Sequence, residues 1–144
     1  MSRRVSTALS TSWSILLVAV AGCGGTDIPT AAVTGTITVN GKPVEGVTVS
    51  FVPDAKIRPS VGITDAKGRY KAQFVRSQSG VALGPCVAQF SIYRGESLRN
   101  YLPAEFNEKA ADNPELHLNV TEEGVVFDYD IKCDGEIPPY EPGP

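Results

Sequence analysis

The sequence predicts an all-β fold, a seven-stranded antiparallel sandwich. Three observations carry this. Apolar residues recur with period two in short runs rich in Val, Ile, Phe and Tyr, the mark of half-buried strands. Turn signals such as Asn40-Gly41 and Asp65-Ala66-Lys67-Gly68 stand between the runs, where positive φ is tolerated. Gly 14 and Pro 11 in 144 residues punctuate the chain too often for a helical bundle.

The strands follow in order. Ala32–Val39 sets Val33, Gly35, Ile37 and Val39 against Thr34, Thr36 and Thr38. Val47–Val52 carries Val47, Val49 and Phe51 in phase, and Pro53 stops it. Val61–Thr64 precedes the Asp65–Gly68 turn, and Arg69–Phe74 returns with Tyr70, Ala72 and Phe74 on one face. Cys86–Tyr93 aligns Cys86, Ala88, Phe90 and Ile92; Leu116–Val120 aligns Leu116, Leu118 and Val120. Val125–Cys133 points Phe127, Tyr129, Ile131 and Cys133 inward, and Asp128, Asp130 and Lys132 outward. The expected core is Val49, Phe51, Tyr70, Phe74, Phe90, Ile92, Leu118, Phe127 and Ile131. Only residues 104–111 read as helical, and Pro103 and Pro114 confine them to two turns at most.

Residues 1–22 read as an export signal. Arg3 and Arg4 form a positive start, and Trp13–Ala21 is an apolar run too short to span a membrane. The segment ends in Val20-Ala21-Gly22-Cys23, which resembles the lipobox of bacterial lipoproteins. That resemblance implies cleavage before Cys23, lipidation of its thiol and a membrane anchor there. Gly24 rather than Asp follows, which by the same resemblance points to the outer membrane or its periplasmic face. A mature lipoprotein cysteine carries two or three acyl chains, enough for stable anchoring. Residues 23–31 then form a flexible tether, 32–133 the sandwich, and 134–144 a Pro-rich tail unable to join a sheet.

Charge and residue counts exclude several functions. The net charge is −3; removing residues 1–22 leaves 11 Lys+Arg against 16 Asp+Glu, or −5. Such a body does not bind nucleic acid, which calls for a basic excess. A single histidine, His117, rules out multi-His metal centres, and no Ser-His-Asp or Cys-His arrangement is arguable from the sequence. Out of phase with Leu116 and Leu118, it faces solvent. Asp128, Asp130, Asp134 and Glu136 lack the looped backbone of a calcium site and read as a solvated acidic face. No P-loop appears, and no cofactor or metal is expected.

Val33–Pro53 (VTGTITVNGKPVEGVTVSFVP) and Gly62–Tyr70 (GITDAKGRY) resemble the carboxypeptidase regulatory-like, or transthyretin-like, domain. Tyr101–Asn107 (YLPAEFN) resembles an element of small planctomycete-type lipoproteins built on that domain. The likeness covers about residues 32–132 and implies a prealbumin/Ig-like sandwich acting as an accessory, adhesive or binding module. Cys86 departs from it, standing where the family commonly reads Pro-Gly-x-Tyr. Tyr93-Arg94-Gly95-Glu96 resembles the Tyr-Arg-Gly-Ser terminus of 5-hydroxyisourate hydrolases. It lies mid-chain, however, and those enzymes use more than one histidine.

With Cys23 taken by lipid, Cys86 and Cys133 remain, both in the inward phase of their strands. In an oxidising compartment they are expected to form a disulfide. It would close a loop of about 48 residues, worth roughly 4 kcal/mol in the chain-entropy description. The expected function is that of a non-enzymatic, lipid-anchored envelope protein whose sandwich is a structural or binding module for an envelope protein or glycan. The alternative is a hydrolase using carboxylates of the 94–115 loop, such as Glu105 or Glu108.

Overall fold

The computed structural model describes residues 27–142; the expected signal segment and Cys23 lie outside that range. The chain forms thirteen strand segments: β1 (Thr30–Ala31), β2 (Val33–Val39), β3 (Lys42–Pro43), β4 (Thr48–Pro53), β5 (Ser60–Ile63), β6 (Arg69–Lys71), β7 (Gln73–Val75), β8 (Gln78–Ser79), β9 (Val81–Ala82), β10 (Gly84–Ser91), β11 (His117–Val120), β12 (Val125–Val126) and β13 (Tyr129–Ile131). Strand segments fall within each of the expected runs, two of which are broken into halves, so the count exceeds the seven expected. The additional pieces are two-residue segments, too short to show a period.

β11-β10-β4-β5-β7-β8 make a six-stranded antiparallel sheet. β2 is the centre of a five-stranded sheet, with β3 and β6 on one flank and β12 and β13 on the other. β1 pairs with β9 in a small third sheet. The strand expected over 69–74 changes sheets at Ala72. Its first half pairs with β2 and its second with β5, while the Ala72 amide still reaches the Val33 carbonyl at 2.9 Å. Strands that switch sheets are one way of turning a corner in β structure.

One expectation is corrected. The pairing is not antiparallel throughout, because β12 and β13 run parallel to β2, Val125 beside Val33 and Tyr129 beside Ile37. A period of two is the same in either direction, so inward and outward faces were readable and strand direction was not.

The two large sheets meet through aromatic rings. Phe51 and Phe90 come from the six-stranded sheet, Tyr70 and Tyr129 from the other, with Phe127 between β12 and β13. Phe51 stacks on Tyr70 at 6.0 Å and meets Phe127 edge-on at 6.2 Å. Phe90 stacks on Phe127 at 6.4 Å and on Tyr129 at 5.4 Å, spacings typical of favourable ring pairs. Val49, Phe51, Tyr70, Phe74, Phe90, Ile92 and Ile131 are buried as expected. Leu118 and Phe127 are only half-buried, packed against the rim of the core.

Among the described residues, no strand pairs with the outer side of the second half of β10. The loop after it fills that edge with 3-10 turns at Ala104–Phe106, Ala110–Asp112 and Pro114–Leu116, in place of the expected short helix. Phe106, Ala110 and Leu116 are buried, and the Phe106 ring lies edge-on to Tyr129 at 6.3 Å. No described helix is long and apolar enough to cross a membrane.

Strand pairing also begins before the expected boundary at residue 32. Thr30 Oγ1 donates to the Ser79 carbonyl at 2.9 Å and Gln78 Nε2 to the Ile28 carbonyl at 2.8 Å. The chain thus enters the body at the end where β2 and β10 start. The Asn40-Gly41 hairpin marks the opposite end, both residues taking positive φ (49° and 79°) as a tight hairpin turn requires.

Candidate functional site

The structure separates the cysteines expected to bond. Cys86 and Cys133 are both free thiols. Cys86 is level with Pro53, at the end where the chain enters. Cys133 lies at the hairpin end, its amide and carbonyl both bonded to the Asn40 side chain, at 3.2 and 2.7 Å. Phe90 already stacks on Tyr129. Cys86 is four residues from Phe90 in one direction, roughly 13 Å along a strand, and Cys133 is four residues beyond Tyr129 in the other. A disulfide allows at most about 7 Å between Cα atoms, so the expected bridge is corrected to two separate thiols. Burial, with the Asp54 charge adding to it, pushes the Cys86 thiol up to about 11, which keeps it protonated and inert.

The acidic strand face has work within the fold. Asp128 Oδ1 accepts from the Thr36 amide at 2.7 Å. Asp130 Oδ1 accepts from Thr38 Oγ1 at 2.7 Å and the Gly41 amide at 2.8 Å, and Lys132 pairs with its other oxygen. Together they fasten the parallel strand to β2 and its hairpin. No cluster of three or more His, Cys, Asp or Glu among the described residues could hold a metal. His117 is exposed, as expected, with Nε2 2.8 Å from the Ala111 carbonyl oxygen.

Lys132, Thr38 and the Gly41 amide together lower the Asp130 pKa to about 2. An unfolded Asp titrates near 3.9, so the folded value is the depressed one. The stabilisation is therefore complete above about 3.9 and lost as pH falls through about 2. Asp130→Asn is expected to lose less stability than the natural protein between pH 5 and pH 2, read from urea midpoints at each pH.

Arg94, from the Tyr-Arg-Gly-Glu run, is the main feature that sequence reasoning passed over. Its residue is only 8% exposed. Among the described residues it has no ion-pair partner; its bonds go to main-chain carbonyls. Nη2 donates to Glu45 at 2.7 Å and Nε to Pro138 at 3.0 Å, with longer bonds from Nη1 to Gly46 and Tyr93, each 3.4 Å. Burial lowers its pKa, opposed by nearby Tyr140 and Glu45, yet an arginine stays charged. The Tyr140 ring lies over the guanidinium at 5.4 Å, within cation–π range. Gly46 makes room for that ring, since a β-carbon there would lie 2.6 Å from Tyr140 Cδ2. The Pro-rich tail is thus strapped across the hairpin end, with Ile137 against the core. A cleft of about 340 Å³ opens there, between the tail and Pro43, Val44 and Glu45.

Arg94→Gln is expected to release this strap. Bonds from a charged donor are worth about 1.5–3 kcal/mol each, so cleavage after Glu136 and Tyr140 in limited proteolysis should speed up roughly tenfold or more while the body stays intact. An unchanged cleavage rate would show that Ile137 and the prolines hold the tail without Arg94.

The loop carboxylates divide between two depressions. Glu105 and Asp112 line one of about 430 Å³ over Tyr129, whereas Glu108 lines another of about 230 Å³ on the outer face of the six-stranded sheet. All three are exposed. Burial raises the Tyr129 pKa, and its hydroxyl donates to Glu115 at 3.2 Å. Compared with models of known families, with curated proteins and with solved structures, the chain finds no match.

Proposed function

We propose that this protein is a non-enzymatic lipoprotein of the bacterial cell envelope, held by lipid on Cys23 at the outer membrane or its periplasmic face. In this reading its body is a prealbumin/Ig-like sandwich of the transthyretin-like kind, serving as a structural or binding module for an envelope protein or glycan. One observation carries most weight: the body has two distinct ends. The segment leading from Cys23 joins it where β2 begins. The cleft under the strapped tail opens past the Asn40-Gly41 hairpin, roughly 20 Å away along the seven residues of β2. A lipid at the first end presents the second to the surroundings. The acidic body, at −5 after processing, has no electrostatic reason to lie on anionic lipid.

A hydrolase built on Glu105 and Asp112 is the competing reading, since both line one depression. It requires one carboxyl to hold a proton near neutral pH, which burial or a close like charge provides. Both side chains are exposed, which favours the module.

The test begins with the intact mass of protein extracted from envelopes, expected to exceed that of residues 23–144 by the lipid. Cys23→Ala should accumulate as an uncleaved precursor. A soluble mature form with an unmodified Cys23 would overturn the anchor. Tagged mature protein should then recover a specific envelope component from detergent extracts.

A further inference from the structure

We infer that the depression on the outer face of the six-stranded sheet binds a neutral sugar ring. The inference rests on the module reading above and names the class of glycan it would take. At this end of β4 and β10 the residues that alternate away from the core are polar. Ser50 stands opposite Gln89, and Thr48 opposite Ser91. The loop after β10 rises beside them and closes the depression to about 230 Å³ with Tyr93, Glu108 and two asparagines.

Those asparagines serve the frame. Asn100 Oδ1 accepts from the Ile92 and Leu102 amides at 2.9 and 3.1 Å, and Asn107 Nδ2 donates to the Pro103 carbonyl at 2.9 Å. The floor is different. The hydroxyls of Ser50 and Ser91 and the amide of Gln89 have no partner among the described residues, although all three are half-buried. Each of these groups both donates and accepts. That matches a hydroxyl-rich ligand, whose own groups do both.

The remaining chemistry narrows the class. Among the described residues no Lys or Arg lines the depression and Glu108 does, so a phosphate or carboxylate is repelled. Tyr93, 51% exposed, lines the depression and offers an aromatic surface to the C–H side of a sugar. Val61 and Ile63 extend a partly apolar platform beside Ser50 and Thr48. The volume falls below the 300 Å³ or so at which sites for drug-sized molecules begin, which suits one ring of a longer chain passing over the sheet.

The test uses mature lipidated protein in a detergent without a sugar headgroup, applied to an array of immobilised neutral and acidic oligosaccharides. Neutral sugars should be retained, and sodium chloride should not elute them. Tyr93→Ala and Gln89→Ala should each weaken retention about tenfold, the scale of one lost stacking or hydrogen-bonding contact. Arg94→Gln, at the tail cleft, should leave it unchanged. Retention of acidic sugars alone, retention that survives Tyr93→Ala, or no retention would each overturn the site. A blank array alongside a specific protein recovered from the envelope would remove the sugar site and leave the module. Envelope-extracted protein that proves to carry no lipid at Cys23 yet retains neutral sugars would remove the anchor and leave the sugar site.

Discussion

Gly35→Ala is expected to destabilise the protein by about 2–6 kcal/mol, although it adds a single methyl group. Gly35 sits in β2 opposite the break between β12 and β13. There the Phe127 carbonyl turns over the glycine. A β-carbon at Gly35 would lie 2.6 Å from the carbonyl carbon and closer still to its oxygen. The obstacle is main chain, and it is held from several sides. The Phe127 amide donates to the Thr34 carbonyl at 2.8 Å, and the same Phe127 carbonyl accepts from the Tyr70 hydroxyl at 2.8 Å. Overpacking alone costs about 1–3 kcal/mol, and a tyrosine hydroxyl stripped of its partner adds about 1–3 more. Urea denaturation measures the sum. Tyr70→Phe, which removes only the hydroxyl, should cost about 1 kcal/mol. A Gly35→Ala midpoint within about 1 kcal/mol of the natural protein would mean that the parallel strand gives way easily.

Phe90→Ala is the second large effect, at about 3–5 kcal/mol, the usual range for truncating a buried aromatic. Phe90 is fully buried and touches the rings of both Phe127 and Tyr129. It therefore joins β10 to the parallel strand, and the loop turn carrying Phe106 follows through Tyr129. Against a domain stability of roughly 5–15 kcal/mol, such a loss should lower the melting temperature by about 10 °C or more. Differential scanning calorimetry would show it, and a melting temperature within a few degrees of the natural protein's would refute the role given to Phe90.

The strands were legible because one face of each is buried, which writes a period of two into residues such as Val49 and Phe51 or Phe90 and Ile92. What stayed hidden depends on partners rather than period. Nothing in VVFDYDIKC distinguishes parallel from antiparallel pairing. Inward phase placed Cys86 and Cys133 in the interior yet gave no height along the sheets, and height is what keeps them apart. Arg94 was set aside as part of an accidental motif. Its sequence signal was modest: a lone arginine after a strand, and a tail with Tyr140 among prolines for it to hold. Asp128 and Asp130 were rightly placed outward, but their bonds to Thr36, Thr38 and Gly41 come from a strand some 92 residues away. The site on the outer sheet face was invisible because Ser50, Gln89 and Ser91 read simply as the polar half of an alternation.

The parallel pairing of the last strand with β2 also fixes the order in which the protein can be completed. One flank of β2 is built from residues 125–131, so its ladder closes only when nearly the whole chain is available. Until then Phe51 and Phe90 lack the rings of Phe127 and Tyr129, and a chain cut before residue 125 is not a smaller domain but an unfinished one. Contacts between such distant segments place folding in the slow, millisecond-to-second range of β proteins. Under the export proposed above, that delay would be useful: the chain would have no stable fold to jam a channel, and folding would finish on the far side once the closing strand arrives.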